Sequence, residues 1–317
     1  MKNVLVTGAG GFIAGHLVNS LVSDGNNVVA VDKKELNSWY QKNTKAENVV
    51  GDLSSYDVCK SVTENIDEVY HLACNMGGIG FIENNKTDCM LSIIPDVYMI
   101  KAATENKVKK FLFTSSACVY PIHIQQDKEA IKLSEDHAYP ADPEDGYGWE
   151  KLFMERMCRH YHEDYGIDIK IARYHNVYGP YTSWNDGREK APAAICRKIA
   201  EAKKSAKKEI EIWGDGEQTR SFLYVDDCVK ATKLLMKSDI NTPINIGSED
   251  LISINNLVYV VANIADIEIE IKHIKGPLGV RGRNSDNTKI NQLLNWNPEI
   301  TLPEGLRVTY DWIEAKL

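Results

Sequence analysis

The sequence predicts an α/β protein built on a doubly wound parallel Rossmann sheet, with a smaller α/β lobe for a substrate. Three observations support this fold class. Short apolar segments recur at regular intervals through residues 1–175. Segments with helical periodicity separate them, as the crossovers between parallel strands require. The first apolar segment ends in a glycine-rich turn that leads into a helical pattern, which is how a nucleotide-binding sheet begins.

The first strand–turn–helix–strand unit predicts a dinucleotide site. A strand at 4–7 precedes a turn, a helical pattern follows at 16–22, and a second strand at 27–32 ends in an acid. Glycines in the turn allow a pyrophosphate to approach the backbone, and the helix N-terminus supplies N–H donors. Asp32 suits a ribose 2′-hydroxyl group and favours NAD over NADP, although Lys33 and Lys34 weaken that preference. The residues expected to contact the cofactor here are Gly8, Gly10, Gly11, Phe12, Ile13 and Asp32.

The same alternation continues along the chain. Further strands are predicted at 48–53, 68–73, 110–116 and 167–173, with a helix at 94–105. Ligands of such sheets bind beyond the carboxyl ends of the strands. Asp52, Leu53 and Ala73 follow two of these ends and are expected to contact the cofactor. An Asp in that position can equally be a turn former.

The second half of the chain predicts two interleaved domains. A helix at 193–206 and a strand at 209–213 leave the first pattern. A strand at 222–225, a helix at 226–236 and a strand at 244–247 look like a return to the main sheet, and a last helix is expected at 304–315. We therefore assign residues 1–175 and 222–247 to a cofactor domain. Residues 176–221 and 248–317 would form the substrate lobe.

Composition excludes several classes of function. A net charge of −8 and a pI near 5.6 argue against a nucleic-acid-binding protein. No apolar run approaches the ~20 residues that span a bilayer, and the N-terminus enters a strand at once, without the pattern of a signal peptide. Seven cysteines without metal-ligand spacing indicate free thiols and no metal site. We expect a cytoplasmic protein.

Tyr147 and Lys151 are the first candidate catalytic pair. Residues four apart share one face of a helix, and a helical pattern runs through this segment. A tyrosine has a pKa near ~10, and a nearby ammonium group lowers the pKa toward the range of a usable general base. The alternative is an ordinary surface pair on an amphipathic helix.

Several motifs together resemble the extended short-chain dehydrogenase/reductase family of nucleotide-sugar epimerases, dehydratases and decarboxylases. They are the turn Thr7–Ile13, the strand end at Ser115 and Ser116, and the Tyr147/Lys151 pair. The resemblance implies a tightly bound NAD that also contacts Tyr147 and Lys151. It also implies a homodimer formed by two helices per subunit. Apolar positions in 93–103 and 152–161 suit such an interface, and equally suit packing against the sheet.

Two signals narrow the resemblance, Cys118 and the Gly-Arg-Glu-Lys motif that ends at Lys190. They resemble family members that invert C3 and C5 of GDP-mannose through a transient 4-keto sugar. The resemblance implies that Tyr147 removes the proton of the 4-hydroxyl group, to which Ser116 is hydrogen-bonded. A ketone at C4 acidifies both neighbouring C–H bonds, so Cys118 could act as the base and Lys190 as the acid. On spacing alone, Lys190 would be an ordinary loop residue.

The substrate contacts implied by the resemblance come from several segments. Arg220 and Arg283 are candidate forks for a diphosphate, because guanidinium groups match phosphate oxygens; either could instead form a surface ion pair. The remaining cysteines are expected to be buried hydrophobes. Alternatives are a UDP-glucuronate decarboxylase, a 4-epimerase, or a non-catalytic binding protein. The full set of expected substrate residues is Gly77, Ser116, Ala117, Cys118, Asn176, Glu189, Lys190, Ala191, Lys198, Gln218, Thr219, Arg220 and Arg283.

Overall fold

The computed structural model describes all residues 1–317. The strands are β1 (Asn3–Thr7), β2 (Asn27–Asp32), β3 (Glu47–Val50), β4 (Glu68–His71), β5 (Lys110–Ser116), β6 (Lys132–Leu133), β7 (Asp168–Tyr174), β8 (Val177–Tyr178), β9 (Glu209–Trp213), β10 (Thr219–Ser221), β11 (Leu223–Tyr224), β12 (Ile244–Ile246), β13 (Leu251–Ser253), β14 (Glu270–Ile274) and β15 (Gly282–Ser285). The α-helices are α1 (Phe12–Ser23), α2 (Tyr56–Val62), α3 (Ile79–Asn84), α4 (Lys86–Met90), α5 (Ile93–Glu105), α6 (Asp145–Tyr165), α7 (Ala191–Ser205), α8 (Val225–Lys237), α9 (Ile254–Ala265), α10 (Thr288–Leu294) and α11 (Leu302–Glu314).

The central sheet has seven parallel strands in the order β3-β2-β1-β4-β5-β7-β12. Its inner strands β1 and β4 are buried along almost their whole length, as expected of parallel strands covered by helices on both faces. One core joins the sheet to α1 and α8, and a second joins it to α2, α5 and α6. The predicted doubly wound fold is confirmed.

One predicted strand lies elsewhere. Residues 222–225 were expected to return to the main sheet, but β11 pairs with β8 in a separate two-stranded sheet. The Leu223 amide donates to the Asn176 carbonyl oxygen, and α8 begins at Val225. The segment therefore ends beside β8 and does not extend along the main sheet. Only β12 joins the main sheet, beside β7.

The smaller lobe contains a four-stranded sheet in the order β13-β10-β15-β6 and the β14–β9 pair. Strand β6 comes from the first 175 residues, so the lobe borrows one strand from the segment that carries the main sheet. None of the helices has the length and apolar character needed to cross a membrane.

Candidate active site

One cleft of about 1260 Å³ runs along the carboxyl ends of the main-sheet strands. It extends from Gly8 and Asp32 at one end to Trp213 and Arg220 at the other, between the main sheet and the smaller lobe. Nearly all the site residues predicted from the sequence line this cleft. The three that do not are Gly10, Lys151 and Thr219.

The turn after β1 fits a dinucleotide pyrophosphate. Gly8 has φ +68°, and a Cβ atom there would lie 2.9 Å from the backbone of Ala73. Only glycine avoids both the strain and the collision. Gly11 caps α1 without any side-chain hydrogen bond, so the first N–H groups of the helix stay available to an anion.

Asp32 lies at the end of β2, where a ribose contact was predicted. Its carboxylate accepts hydrogen bonds from the amide groups of Gly10 (3.0 Å) and Lys34 (3.0 Å). Each oxygen keeps a lone pair for a ligand hydroxyl group. Asp52 accepts from the amide of Ser54 at 2.9 Å, so it forms a turn and also lines the cleft.

A segment that we call the strap, residues 182–190, crosses the cleft. Asp186 accepts a hydrogen bond from the hydroxyl group of Tyr40 at 3.1 Å. The guanidinium group of Arg188 donates to Asn75 Oδ1 at 2.9 Å and lies 3.9 Å from the ring centre of Phe81. The strap therefore spans from the loop after β2 to the loop after β4. Arg188 belongs to the Gly-Arg-Glu-Lys motif, but the sequence predicted no role for it.

The start of α6 brings Tyr147 to Cys118. Gly148 makes this approach possible, because a Cβ atom there would lie 2.2 Å from the Cys118 carbonyl oxygen. The amide of Glu144 donates to that same oxygen at 3.0 Å. Ser116 Oγ accepts from the Cys118 amide at 3.2 Å. The end of β5 and the first turn of α6 thus form one rigid corner of the cleft.

Lys151 lies one helical turn after Tyr147, as the spacing predicted. Its Nζ atom is 5.8 Å from the centre of the Tyr147 ring. It is only 3.2 Å from Asp96 Oδ2, which offsets its charge. Burial raises the pKa of Tyr147 well above its ordinary value, and Lys151 reduces that shift only in part. Burial is therefore the larger influence on the Tyr147 pKa and outweighs the lowering by Lys151 that the sequence predicted.

Cys118 contacts a buried arginine. Arg283 Nη1 lies 3.5 Å from Cys118 Sγ, while its Nη2 donates to Glu144 at 2.7 Å and its Nε to Gln125 at 2.7 Å. Burial raises the pKa of the Cys118 thiol, and the charge of Arg283 opposes that rise. Arg283 is thus held by protein groups and stands beside the thiol. Sequence reasoning missed Glu144, which lies in the acidic loop before Tyr147.

Two other cations in the cleft, Arg220 and Lys190, have no carboxylate within hydrogen-bonding distance. Arg220 donates only to carbonyl oxygens, those of Thr219, Leu278 and Val280. Burial, with the charge of Arg283, lowers the pKa of Arg220 to about 10. Burial also lowers the pKa of Lys190, and no carboxylate is among the charges that act on it. This unmatched positive charge suits an anionic ligand.

Several buried polar atoms lining the same cleft lack a hydrogen-bond partner. They are His175 Nδ1, Glu189 Oε2 and Gln218 Oε1. Buried polar groups are normally paired, so the cleft is built for a polar ligand.

Two residues predicted to contact the substrate have partners within the protein. Lys198 Nζ donates to the carbonyl oxygen of Glu211 at 2.5 Å. The hydroxyl group of Thr219 donates to the Lys128 carbonyl oxygen, which turns it away from the cleft.

The remaining cysteines largely follow the prediction. Five are buried, and they are Cys59, Cys89, Cys158, Cys196 and Cys228. Cys74 is the exception, because it is only partly buried and lines the cleft after β4. Its expected role as a buried hydrophobe is wrong: it lies beyond the end of a strand, where the sheet presents residues to ligands. No group of three or more acids, histidines and cysteines is arranged to hold a metal ion.

Comparison with known proteins places this arrangement in a family. The profile of the NAD dependent epimerase/dehydratase family matches residues 4–247. GDP-mannose 3,5-epimerase of Arabidopsis thaliana is 44% identical over 315 residues, which cover 99% of this chain and 82% of that protein. UDP-glucuronic acid decarboxylase 1 of Xenopus tropicalis is 28% identical over 324 residues, 100% of this chain and 73% of that protein.

Solved structures support the same family. UDP-glucose 4-epimerase of Thermotoga maritima superposes with a TM-score of 0.89 at 25% identity, covering 99% of both chains. UDP-glucuronic acid 4-epimerase of Bacillus cereus, solved with UDP-glucuronic acid and NAD, gives 0.85 at 28% identity, covering 99% of this chain and 100% of that one. The resemblance drawn from the sequence motifs is confirmed. This chain belongs to the NAD dependent epimerase/dehydratase family.

Proposed function

We propose that the protein is an NAD-dependent epimerase that inverts C3 and C5 of GDP-mannose, giving GDP-L-galactose, GDP-L-gulose or both. The observation that carries the proposal is the presence of Cys118 and Lys190 in the same cleft as Tyr147. The 44% identity to a GDP-mannose 3,5-epimerase, sustained over 99% of the chain, supports the same reaction.

In the first step Tyr147 removes the proton of the sugar 4-hydroxyl group, with Ser116 hydrogen-bonded to that hydroxyl. Bound NAD would supply the reversible oxidation at C4, and the turn after β1, with Asp32, Asp52, Leu53 and Ala73, would hold it. A carbonyl group at C4 lets the electron pair left at C3 or C5 delocalise as an enolate. Protein groups of ordinary basicity can then remove either proton.

Cys118 is the proposed base and Lys190 the proposed acid on the opposite side of the ring. Burial raises the pKa of Cys118, and the charge of Arg283 opposes that rise. Burial lowers the pKa of Lys190, and the Cys118 thiol opposes that fall. These opposing charges act in the direction that a negatively charged base and a protonated acid require. Inversion requires both forms to be present at once.

The remaining contacts follow from the charge of the substrate. Arg220 and Lys198 would bind the diphosphate. Arg283, the second fork predicted from the sequence, already has its guanidinium group on Glu144 and Gln125, so it would position Cys118 instead. The smaller lobe, residues 176–221 and 248–317, would carry most substrate contacts, and residues 1–175 and 222–247 would carry the cofactor. Further proposed substrate contacts are Gly77, Ala117, Asn176, Glu189, Ala191 and Gln218, all of which line the cleft. Thr219, predicted from the sequence as another, is turned away from it.

A homodimer is also proposed. Ile94 on α5 and Trp149 and Phe153 on α6 are 37%, 49% and 48% exposed. These helices lie side by side, so two copies could bury the apolar side chains in a four-helix interface. Sedimentation of the wild-type protein and of a Trp149→Glu/Phe153→Glu variant tests this; a wild-type monomer contradicts it.

The reaction is tested by incubating the protein with GDP-mannose in D₂O. Deuterium should appear at C3 and C5 in the wild-type protein. In Cys118→Ala the exchange should stop while oxidation at C4 continues. Cys59→Ala, which removes a buried thiol outside the cleft, is the matched control. Exchange that survives in Cys118→Ala would remove Cys118 from its role.

The rival function is a related enzyme of a UDP-sugar, because both superposed 4-epimerases are named for UDP-sugars. A panel of GDP-, UDP- and dTDP-sugars separates the two. Preference for a UDP- or dTDP-sugar would overturn the GDP-mannose assignment. A non-catalytic binding protein is excluded if Tyr147→Phe binds the sugar nucleotide normally and loses turnover.

A further inference from the structure

Beneath Tyr147, Lys151 lies in a buried charge cluster with two acids that have no role in the proposed reaction. Lys151 is 1% exposed and Asp96 is fully buried, and the Lys151 Nζ–Asp96 Oδ2 distance is 3.2 Å. Glu150, also buried, places Oε2 3.4 Å from the same nitrogen atom. One ammonium group therefore faces two carboxyl groups in a region closed to water.

Asp96 is firmly held as a carboxylate. Its Oδ1 atom lies 2.8 Å from His71 Nε2, and His71 Nδ1 lies 2.8 Å from Thr7 Oγ1. Thr7 Oγ1 already accepts hydrogen bonds from the amides of Leu72 and Ala73. Its hydroxyl proton must therefore go to His71 Nδ1, which leaves His71 Nε2–H to donate to Asp96. Asp96 is thus ordered by β4 on one side and by Lys151 on the other.

Glu150 is in a different state from Asp96. Neither of its carboxyl oxygens has a hydrogen-bond partner, although both are buried. An ionised carboxyl group without a well-aligned donor is more costly in such a place than a protonated one. Burial, with the negative charge of Asp96, raises the pKa of Glu150 to about 9. Asp96 behaves in the opposite way: burial would raise its pKa, but Lys151 and His71 hold it below its ordinary value.

We propose that Asp96 and Glu150 are positioning residues that set how much of the Lys151 charge reaches Tyr147. Asp96 is the permanent counter-ion that fixes the lysine. Glu150 is the protonated acid whose ionisation would cancel the remaining effect of the lysine on the phenol. The inference rests on the proposed role of Tyr147 as the base at C4.

Each element packed around the lysine contributes to this balance. Helix α6 supplies Tyr147, Glu150 and Lys151, and α5 supplies Asp96. His71 ends β4, and Cys74 follows it and acts on both Tyr147 and Lys151. The other neighbours are the ring of Phe113, whose centre is 4.8 Å from Nζ, and the buried thiol of Cys158. Of the two acids that face the lysine, Glu150 is the one whose carboxyl oxygens lack a well-aligned hydrogen bond, and its pKa is shifted in the opposite direction to that of Asp96.

The first test is spectroscopic and does not need turnover. The infrared band of a protonated carboxyl group, assigned to Glu150 by its loss in Glu150→Gln, should be present at neutral pH. It should disappear at neutral pH in Asp96→Asn, because Glu150 then replaces Asp96 as the counter-ion. If Glu150→Gln and the wild-type protein give the same neutral-pH spectrum, Glu150 is already ionised and the proposal is wrong.

The second test follows oxidation at C4 alone. In the Cys118→Ala background, single-turnover reduction of bound NAD is measured against pH with whichever nucleotide sugar the protein oxidises. Glu150→Gln should lower the apparent pKa of this step by about one unit or more, because the competing acid is gone. Glu163→Gln, the same change at an exposed position of α6, should leave it unchanged. An unchanged profile in Glu150→Gln overturns the proposal.

The double variant Asp96→Asn/Glu150→Gln completes the cycle. It leaves the buried ammonium group without any carboxylate, so its relative rate should fall below the product of the relative rates of the two single variants. Multiplicative losses would show independent structural effects and overturn the proposal. Absence of C3 and C5 exchange in the wild-type protein would instead refute the epimerase assignment. The infrared measurement would still test the protonation of Glu150 in that case.

Discussion

The two ends of the cleft are built in different ways. At the dinucleotide end, backbone geometry is decisive: Gly8 is held in a left-handed conformation, Gly11 opens the helix N-terminus, and the Asp32 carboxylate is fastened to the turn by hydrogen bonds. At the sugar-nucleotide end, side chains from distant segments converge. Arg220 and Lys190 bring positive charge there without a carboxylate at hydrogen-bonding distance.

The difference teaches where each end gains its specificity. A backbone cradle recognises shape and tolerates changes in neighbouring side chains, but it does not tolerate an added Cβ atom. A cluster of unmatched cations recognises charge, and each of its members can be removed singly at a graded loss of affinity. The predictions below test this contrast, from the largest expected effect to the smallest.

The largest effect is expected at Tyr147, where the two ends meet. Tyr147→Phe removes the proton acceptor at C4, and the loss of a positioned general base lowers rates by roughly 10²–10⁴-fold. Turnover of GDP-mannose should fall by that factor while NAD content stays unchanged. A fall of less than tenfold would mean that another group takes the proton.

At the dinucleotide end, Gly8→Ala should weaken NAD retention by about 10- to 100-fold. The added Cβ atom meets the Ala73 backbone at 2.9 Å and stands at φ +68°, and strain of this kind is worth about 1–3 kcal/mol. Gly25→Ala is the control, because Gly25 also has positive φ but has open space around it. NAD content and dissociation rate are the measurements. If Gly8→Ala and Gly25→Ala had equal effects, the turn after β1 would not be the part of the protein that holds NAD.

At the sugar-nucleotide end, Arg220→Ala should raise the KM for GDP-mannose about tenfold and alter kcat little. A hydrogen bond to a charged ligand group contributes about 1.5–3 kcal/mol, and part of that is regained from Lys198. Arg281→Ala, which removes an arginine paired with Asp215 on the surface, should change KM less than twofold. If Arg220→Ala lowered NAD content and left KM unchanged, the contrast between the two ends of the cleft would be wrong.

A smaller effect is expected in the pH dependence of stability. Burial lowers the pKa of His175 from 6.5 to about 3, so the unfolded chain binds more protons between these values. Stability is therefore lost as pH falls below about 6.5. His175→Gln should reduce that loss by roughly 1 kcal/mol near pH 5.5, measured by urea unfolding. His123→Gln, at an exposed histidine, should leave this loss of stability as it is in the wild-type protein. If His175→Gln loses as much stability on acidification as the wild-type protein, buried His175 is not its source.

The contrast between the two ends also explains what could be predicted from the sequence. The turn after β1 and the Tyr147/Lys151 pair are local patterns, and their geometry follows from strand, turn and helix periodicity. The partners Asp96, Glu144 and Arg188 could not be found in this way, because each meets its target only through tertiary packing. Strand β11 was assigned to the wrong sheet for the same reason: a two-residue strand carries too little pattern to choose its neighbour. The counter-ion of Lys151 had no signal in the sequence.

The strap has a consequence for the lifetime of the bound cofactor. It is tied to Tyr40 on one side and, through Arg188, to Asn75 and Phe81 on the other. Exchange of cofactor with the surroundings would then wait for these ties to open together, so its rate would be set by a loop motion and not by cofactor concentration. Each molecule of enzyme would keep one redox partner through many catalytic cycles. For a reaction that ends in the oxidation state in which it began, such slow exchange is an advantage.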